Sequence, residues 1–447
     1  MWDLIWHNTR MTSGYQFFSM KQPFFPIGKN VVKVLDALGD HGWVPTASPN
    51  YGGPLDDKAS VDWPMIVFKK DTAELYEKQT LLMAVKDQNI PGKLMACGPA
   101  EVISQLKGSF AARLKQVSPA AQEAFDEYDT QQEWDVVWRE TSITSGMQAF
   151  SLAKPYFPKG QVVLPLLEEV YKLGWHLVCG PNFGGIKVDW PCLVFKKLKQ
   201  PSTSGALAFG AVKDQNIPGK FCITTTPSEL TAVTQTIHEA LRKVSGNEGI
   251  TIEKDEYDAD HGQVIRKTSI TTGAMAFGTS YFPRKESILA ITRSMGAKGW
   301  KLEACPMFGG MGASWPTFVW HQTGQVMETA IVAIKDQSYP GKVVLGGVEK
   351  DVAKKLMDCF AVMSGPQVEN KNDSYDQDYD LAFRHTKMTS GKAICSLQNS
   401  WWPYGYPMEV ILGELMQRGW EPAGGPAFGS MQLSWPAVIL QREKPTA

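Results

Sequence analysis

The octapeptide KDQNIPGK stands unchanged at residues 86–93 and 213–220, and recurs as KDQSYPGK at residues 335–342. It belongs to a longer self-similarity. Four segments end in Thr-Ser-Gly or Thr-Thr-Gly and run on alike: RMTSGYQFFS at residues 10–19, SITSGMQAFS at 142–151, SITTGAMAFG at 269–278 and KMTSGKAICS at 387–396. Each is followed by an aromatic–Pro pair (Phe25-Pro26, Phe157-Pro158, Phe282-Pro283, Trp402-Pro403), then by an amphipathic run closing on Gly-Trp at Trp43, Trp175, Trp300 and Trp420. A glycine-rich turn (PNYGG, PNFGG, PMFGG, PAFGS) and a Trp-Pro pair at Trp63, Trp190, Trp315 and Trp435 complete the pattern. Copies begin about 120 to 130 residues apart, too far for a solenoid unit, so each copy is domain-sized.

After the Trp-Pro segment, copies one to three continue into a second half that holds the octapeptide and a helix-like run. Copy four stops at Ala447, just after WPAVILQREKPTA. The expected division is 1–125, 126–254, 255–370 and a truncated 371–447. Periodicity gives each unit its elements. WDLIW alternates and meets TSG, a hairpin signature. VVKVLDALGDHGW sets Val31, Val34, Leu35 and Leu38 at helical spacing, with Gly42 as terminator. WPMIVFKK reads as a strand opening at proline, and Pro-Gly marks the turn between QTLLMAVKD and KLMACG. PAEVISQLKGSFAARL and its counterparts are helices with proline or acidic residues in the first turn. A full unit therefore reads ββαββ-ββα, an α+β fold of tandem antiparallel sheets with the helices on one face. The acidic stretches EAFDEYDTQQE, EKDEYDADHG and ENKNDSYDQDYD read as linkers by composition.

Composition excludes several classes. With 45 basic and 46 acidic residues the chain has no net field to draw nucleic acid or an anionic membrane. No apolar stretch approaches the roughly 18 residues of a membrane helix, and the amino terminus enters repeat sequence with no room for a secretory signal. Seven cysteines in apolar contexts, an odd number without a CxxC pair, are expected as free thiols in a reducing compartment, with a cytoplasmic setting the default.

Duplicated catalytic machinery should recur from copy to copy. The seven histidines occupy unrelated positions of the unit and form no HxxxH or HExxH, so no metal is expected. GxSxG, GxxxxGK[ST] and GxGxxG are missing, and no cofactor is expected. The DEYD runs lack the register of a calcium loop. What recurs is Lys86, Asp87, Gln88 and Lys93, then Lys213, Asp214, Gln215 and Lys220, then Lys335, Asp336, Gln337 and Lys342. Two readings stand. In one, these residues present a polar surface to a ligand or neighbouring subunit; in the other, they form a solvated hairpin whose side chains bond the turn. The recurring tryptophans fit core packing, whereas Trp401 and Trp402, which replace Tyr or Phe of other copies, are the candidates for a contact surface.

A unit that stops after its Trp-Pro strand exposes sheet edge, and open edges are capped, charged or paired. Copy four has two routes to completion, one within the chain and one through another molecule, and the second builds rings or lattices. The first expectation is thus a non-enzymatic protein that self-assembles into a sheet, tube or shell. The multi-copy arrangement with its Gly-Trp and Trp-Pro signatures resembles the pyrenoid shell proteins of diatoms and related algae. That resemblance implies a lattice in the plastid stroma enclosing the Rubisco condensate in support of carbon fixation, and a transit peptide preceding this sequence; it supplies no catalytic residues. The alternative is a multivalent lectin-like protein using one shallow site per unit, and a third reading is an enzyme with one surviving cleft between units.

Overall fold

The computed structural model describes residues 2–14, 24–54, 60–87, 92–146, 156–185, 188–200, 205–214, 219–245, 249–273, 281–310, 313–335, 341–373, 376–391, 401–430 and 433–444. The octapeptide forms a hairpin, as its Pro-Gly turn and flanking apolar runs predict: Tyr76–Val85 folds back onto Lys93–Cys97. The outer edge of Tyr76–Val85 is covered by Val188–Leu198, the Trp-Pro strand of copy two, with Phe195 opposite Leu81 and Cys192 opposite Ala84. Beyond Lys93–Cys97 lies the short strand Val136–Arg139, also from copy two. The same order recurs as Ala313–Gln322, Leu207–Lys213, Lys220–Thr225, Gln263–Arg266. It recurs again as Leu433–Glu443, Met327–Ile334, Lys342–Gly346, Leu381–Arg384. Every complete sheet joins the second half of one copy to the first half of the next.

The packing units are therefore out of phase with the sequence units by half a copy, and the boundaries read from the repeat do not delimit separate cores. Copy four is completed from within the chain: Glu443 lies opposite Met327 and Ala437 opposite Ala333. The expected open edge at the carboxyl-terminal module is not there.

Helices lie between the sheets, on both faces of each, and not on one face as the sequence pattern led us to expect. In the first sheet, alternation sends Leu82, Ala84, Met95 and Val194 to one side, where they meet Val31, Val32 and Leu35 of helix Gly28–Asp40. Leu81, Met83, Leu94 and Phe195 point to the other, against Leu106 and Phe110 of the second-half helix and Leu167 and Val170 of helix Gly160–Lys172. Sheet and helix layers follow one another in this way around the molecule. The helices preceding the Gly-Trp pairs stop where the sequence says they should: Gly42, Gly174, Gly299 and Gly419 all have φ between +74° and +82°, a conformation that disfavours a Cβ. Two expectations shift. Prolines 191, 316 and 436 lie inside long strands, where the strand leaves its glycine-rich partner and enters the main sheet. WDLIW is not paired as a strand.

The four copies close into a ring of approximate four-fold symmetry. The hairpins built from the glycine-rich turns and the Trp-Pro strands pack each against the next, and the fourth packs against the first. An aromatic pair marks each junction. Phe25 meets Trp190 edge-on at 5.2 Å, Phe157 meets Trp315 at 5.1 Å and Phe282 meets Trp435 at 5.4 Å. Trp402 of copy four meets Trp63 of copy one at 4.8 Å, which closes the circle. Ring closure leaves four first halves sharing three second halves. Three sectors are filled, and among the described residues the sector between copies four and one is not.

Candidate functional site

The recurring lysines are inside the protein. Lys86, Lys93, Lys213, Lys220, Lys335 and Lys342 are all buried, Lys86 at 0% exposure. The lysines therefore present no polar surface to solvent, while the turn residues between them lie outside the described residues. Their partners come from the acidic runs that composition marked as linkers. Lys93 Nζ lies 2.5 Å from Asp126 and 2.8 Å from Asp129; Lys220 Nζ lies 2.7 Å from both Asp255 and Asp258; Lys342 pairs with Asp373 and, at 2.7 Å, Asp376. In the first two runs the leading aspartate also caps its helical turn, exchanging side-chain-to-backbone bonds with the residue three positions on. The signal was present in the sequence: an Asp-x-x-Asp pair precedes copies two, three and four.

The first lysine of each octapeptide sits over the aromatic ring of the junction. Lys86 Nζ is 4.2 Å from the Phe25 ring and 5.9 Å from Trp190; Lys213 is 4.7 Å from Phe157 and Lys335 4.6 Å from Phe282. Burial pushes Lys86 down to about 7, with repulsion from Lys93 adding to it. Among the described residues its Nζ has no hydrogen-bond partner, so the ring face and the nearby charges of Asp129 and Asp126 are what compensate it. Burial likewise lowers Lys335. Lys220 goes the other way: burial opposes its charge, but Asp255 and Asp258 outweigh that and raise it.

The aspartate beside the first lysine ties the hairpin to the next copy. Asp87 accepts from the Thr144 amide at 2.8 Å and the Thr141 hydroxyl at 3.3 Å, and Asp214 accepts from Thr271 and Thr268 at 2.7 and 3.2 Å. Gly92, Gly219 and Gly341, in the hairpin turns, accept the amides of Thr141, Thr268 and Thr386. Burial lifts Asp87 to about 7 and Asp214 to about 6, although the threonine donors pull both downward. Gln88, Gln215, Asp336 and Gln337 lie outside the described residues. Each lysine–aspartate–aromatic constellation is thus a clamp between a hairpin and the two first halves it bridges.

In the unfilled sector the clamp is half present. Trp402, 38% exposed, and Trp63 supply the aromatic pair. Trp2 packs on Trp402 at 6.4 Å as Trp134 packs on Phe25 at 5.9 Å, and its indole donates to the Pro403 carbonyl. Trp401 is buried in a left-handed conformation shared by Phe24, Tyr156 and Tyr281 at the same point of the other copies. It is therefore a packing residue, not a contact surface. Leu4, Ile5 and Trp6 are 63%, 62% and 70% exposed, whereas their counterparts Val136, Val137 and Trp138 are buried. Met65, Ile66, Val67 and Phe68 are half-buried, whereas Cys192 to Phe195 are buried. No described strand pairs with the outer edge of Val67–Lys70, whose other edge carries Trp43–Ala47.

A second feature lies on the ring axis. A cavity of about 780 Å³ is walled by Pro45, Leu177, Leu302 and Pro422, one from each copy. Its rim charges are largely paired, Lys69 with Glu421 at 2.5 Å and Arg442 with Glu328 at 2.8 Å. Among the described residues no three His, Cys, Asp or Glu side chains approach closely enough to hold a metal, and no helix is long and apolar enough to cross a membrane. Cys97, Cys179, Cys192, Cys222 and Cys305 are buried free thiols and Cys359 is half-buried and free; Cys395 lies outside the described residues. Comparison with family models, curated proteins and solved structures returned no match.

Proposed function

We propose that the chain is a non-enzymatic structural building block that self-assembles into a sheet, tube or shell. The observation that carries this reading is the unfilled sector. It presents a sheet edge at Val67–Lys70 and exposed Leu4, Ile5 and Trp6 on the same side of the ring. Such edges and apolar groups favour contact with another polypeptide. The three filled sectors add related outer faces, which give one chain several quasi-equivalent contacts of the kind a lattice needs. The recurrent titratable residues are consumed in packing clamps, which leaves them without a substrate-facing role. A coat around an algal pyrenoid, enclosing the Rubisco condensate in the plastid, is the cellular setting that accords with the resemblance noted in the sequence. Negative-stain microscopy and sedimentation of the purified protein test the assembly reading. Regular polymers are expected; uniform monomers at high concentration would sink it.

The axial cavity favours a second reading, a lectin-like or other ligand-binding protein. Its volume falls in the range of small-molecule sites. Under this reading the protein stays monomeric and is retained on an immobilised sugar, and removing wall residues such as Leu177 alters retention.

A further inference from the structure

We infer that the unfilled sector is a receptor for a β-hairpin–helix unit of the type this chain carries three times, presented by a partner polypeptide. The inference goes beyond the self-assembly reading, because the occupant it names is a different polypeptide. In each filled sector the two strands of the hairpin lie between a Trp-Pro strand and the short strand that precedes Thr-Ser-Gly or Thr-Thr-Gly. In the fourth sector both flanks are present, Val67–Lys70 on one side and residues 4–7 on the other, with the interior pair missing. Two strands correspond to a gap of about 14 Å between the flanks at ordinary sheet spacing.

The flanks also keep the polar partners that the hairpin satisfies elsewhere. Thr9 and Thr12 stand where Thr141 and Thr144 stand in copy two. There the hairpin supplies Asp87 to the Thr144 amide and the Thr141 hydroxyl, and Gly92 to the Thr141 amide. Among the described residues no acceptor meets the Thr9 amide, the Thr9 hydroxyl or the Thr12 amide. Trp402 stands where Phe25 receives Lys86 in the first filled sector, and it meets Trp63 edge-on as Phe25 meets Trp190. Apolar cover is lacking at Ile5 and Trp6 and incomplete at Ile66 and Phe68, on the two sides of the gap. The occupant that answers all of these carries alternating apolar strands, a Lys-Asp pair entering a Pro-Gly turn, and an amphipathic helix.

A second copy of this chain is a poor donor. The 447 residues hold three such units for four first halves, so a unit given from among them to a neighbour vacates a sector in the giver and gains no net contact. The partner is therefore a polypeptide with a unit to spare. Insertion of this kind is strand addition, in which backbone bonds give affinity and alternate side chains give specificity.

The test uses the full-length protein and a labelled peptide of residues 72–118, which spans the first hairpin and its helix. A saturable one-to-one complex is expected, with amide exchange slowed at residues 3–9 and 65–70 and unchanged at 192–198. A peptide carrying Asp87→Ala should bind about tenfold more weakly, because it loses the acceptor for the Thr12 amide and the Thr9 hydroxyl. Failure to bind at about 0.1 mM peptide, or protection appearing at 192–198 through displacement of the resident hairpin, overturns the receptor. The two readings fail separately. Polymers of pure protein that ignore the peptide leave assembly standing and the receptor refuted, whereas capture by a protein that stays monomeric does the reverse.

Discussion

At the scale of single residues, the two lysines of one hairpin have opposite energetic roles. Lys93 neutralises Asp126 and Asp129, so Lys93→Met strands two carboxylates around an apolar side chain. Breaking a buried pair from one side costs about 3–5 kcal/mol, and the variant should melt correspondingly lower. Lys86 has no hydrogen-bond acceptor among the described residues and a burial-depressed ammonium. Lys86→Met loses a ring contact but removes that desolvation cost, and its unfolding free energy should stay within about 1 kcal/mol of the parent. The same clamps set a pH profile. Asp126 and Asp255 are held at about 2, since burial is outweighed by Lys93 and Lys220 and by backbone amides. The stability these groups add is present above the ordinary carboxylate range and is lost as pH falls from about 4 to 2. Asp87 and Asp214 are displaced upward by burial to about 7 and about 6, so their contribution is greatest below pH 4 and declines as pH rises toward 7. Thermal melts from pH 2 to 8 should show both slopes, and Asp87→Asn with Asp214→Asn should reduce the upper one while leaving the lower one unchanged.

At the scale of elements, Val67–Lys70 and its counterparts Val188–Leu198, Ala313–Gln322 and Leu433–Glu443 share a sequence pattern and differ in company. The later three are flanked on both edges, while the first, among the described residues, has a neighbour, Trp43–Ala47, on one edge. Amides of residues 65–70 should exchange by local opening, well before those of 192–198, 317–322 and 437–443, which are expected to open only with the whole sheet. Equal exchange in all four would mean that the first strand is covered. The contrast also marks how far sequence alone reaches. Helix Gly28–Asp40, the octapeptide hairpin and the left-handed glycines were legible because spacing and turn chemistry act locally. The pairing of Tyr76–Val85 with Val188–Leu198 was not, since periodicity gives a strand its faces and not its neighbour. The clamp lay hidden for a related reason. Asp126 and Asp129 look like solvated linker until a lysine more than thirty positions earlier is brought beside them.

At the scale of the whole molecule, closure rests on contacts between the two ends of the chain. The Trp2 indole donates to Pro403 at 3.1 Å, Lys69 pairs with Glu421, and Trp63 meets Trp402. Trp402→Ala should therefore loosen the junction between copies four and one, lower the melting temperature, and speed exchange in residues 2–14 while the other junctions keep their protection. A large aromatic truncation of this kind costs about 3 kcal/mol when the site is fully buried, and less at the half-exposed Trp402. The half-copy offset between repeat and sheet has a temporal corollary. On a ribosome, no sheet is finished when its own repeat has emerged; each waits for the opening strands of the one behind it. Synthesis thus proceeds with one unsatisfied module always trailing at the exit tunnel, and Val67–Lys70, the first strand of its kind to emerge, is the one whose outer edge receives no strand among the described residues.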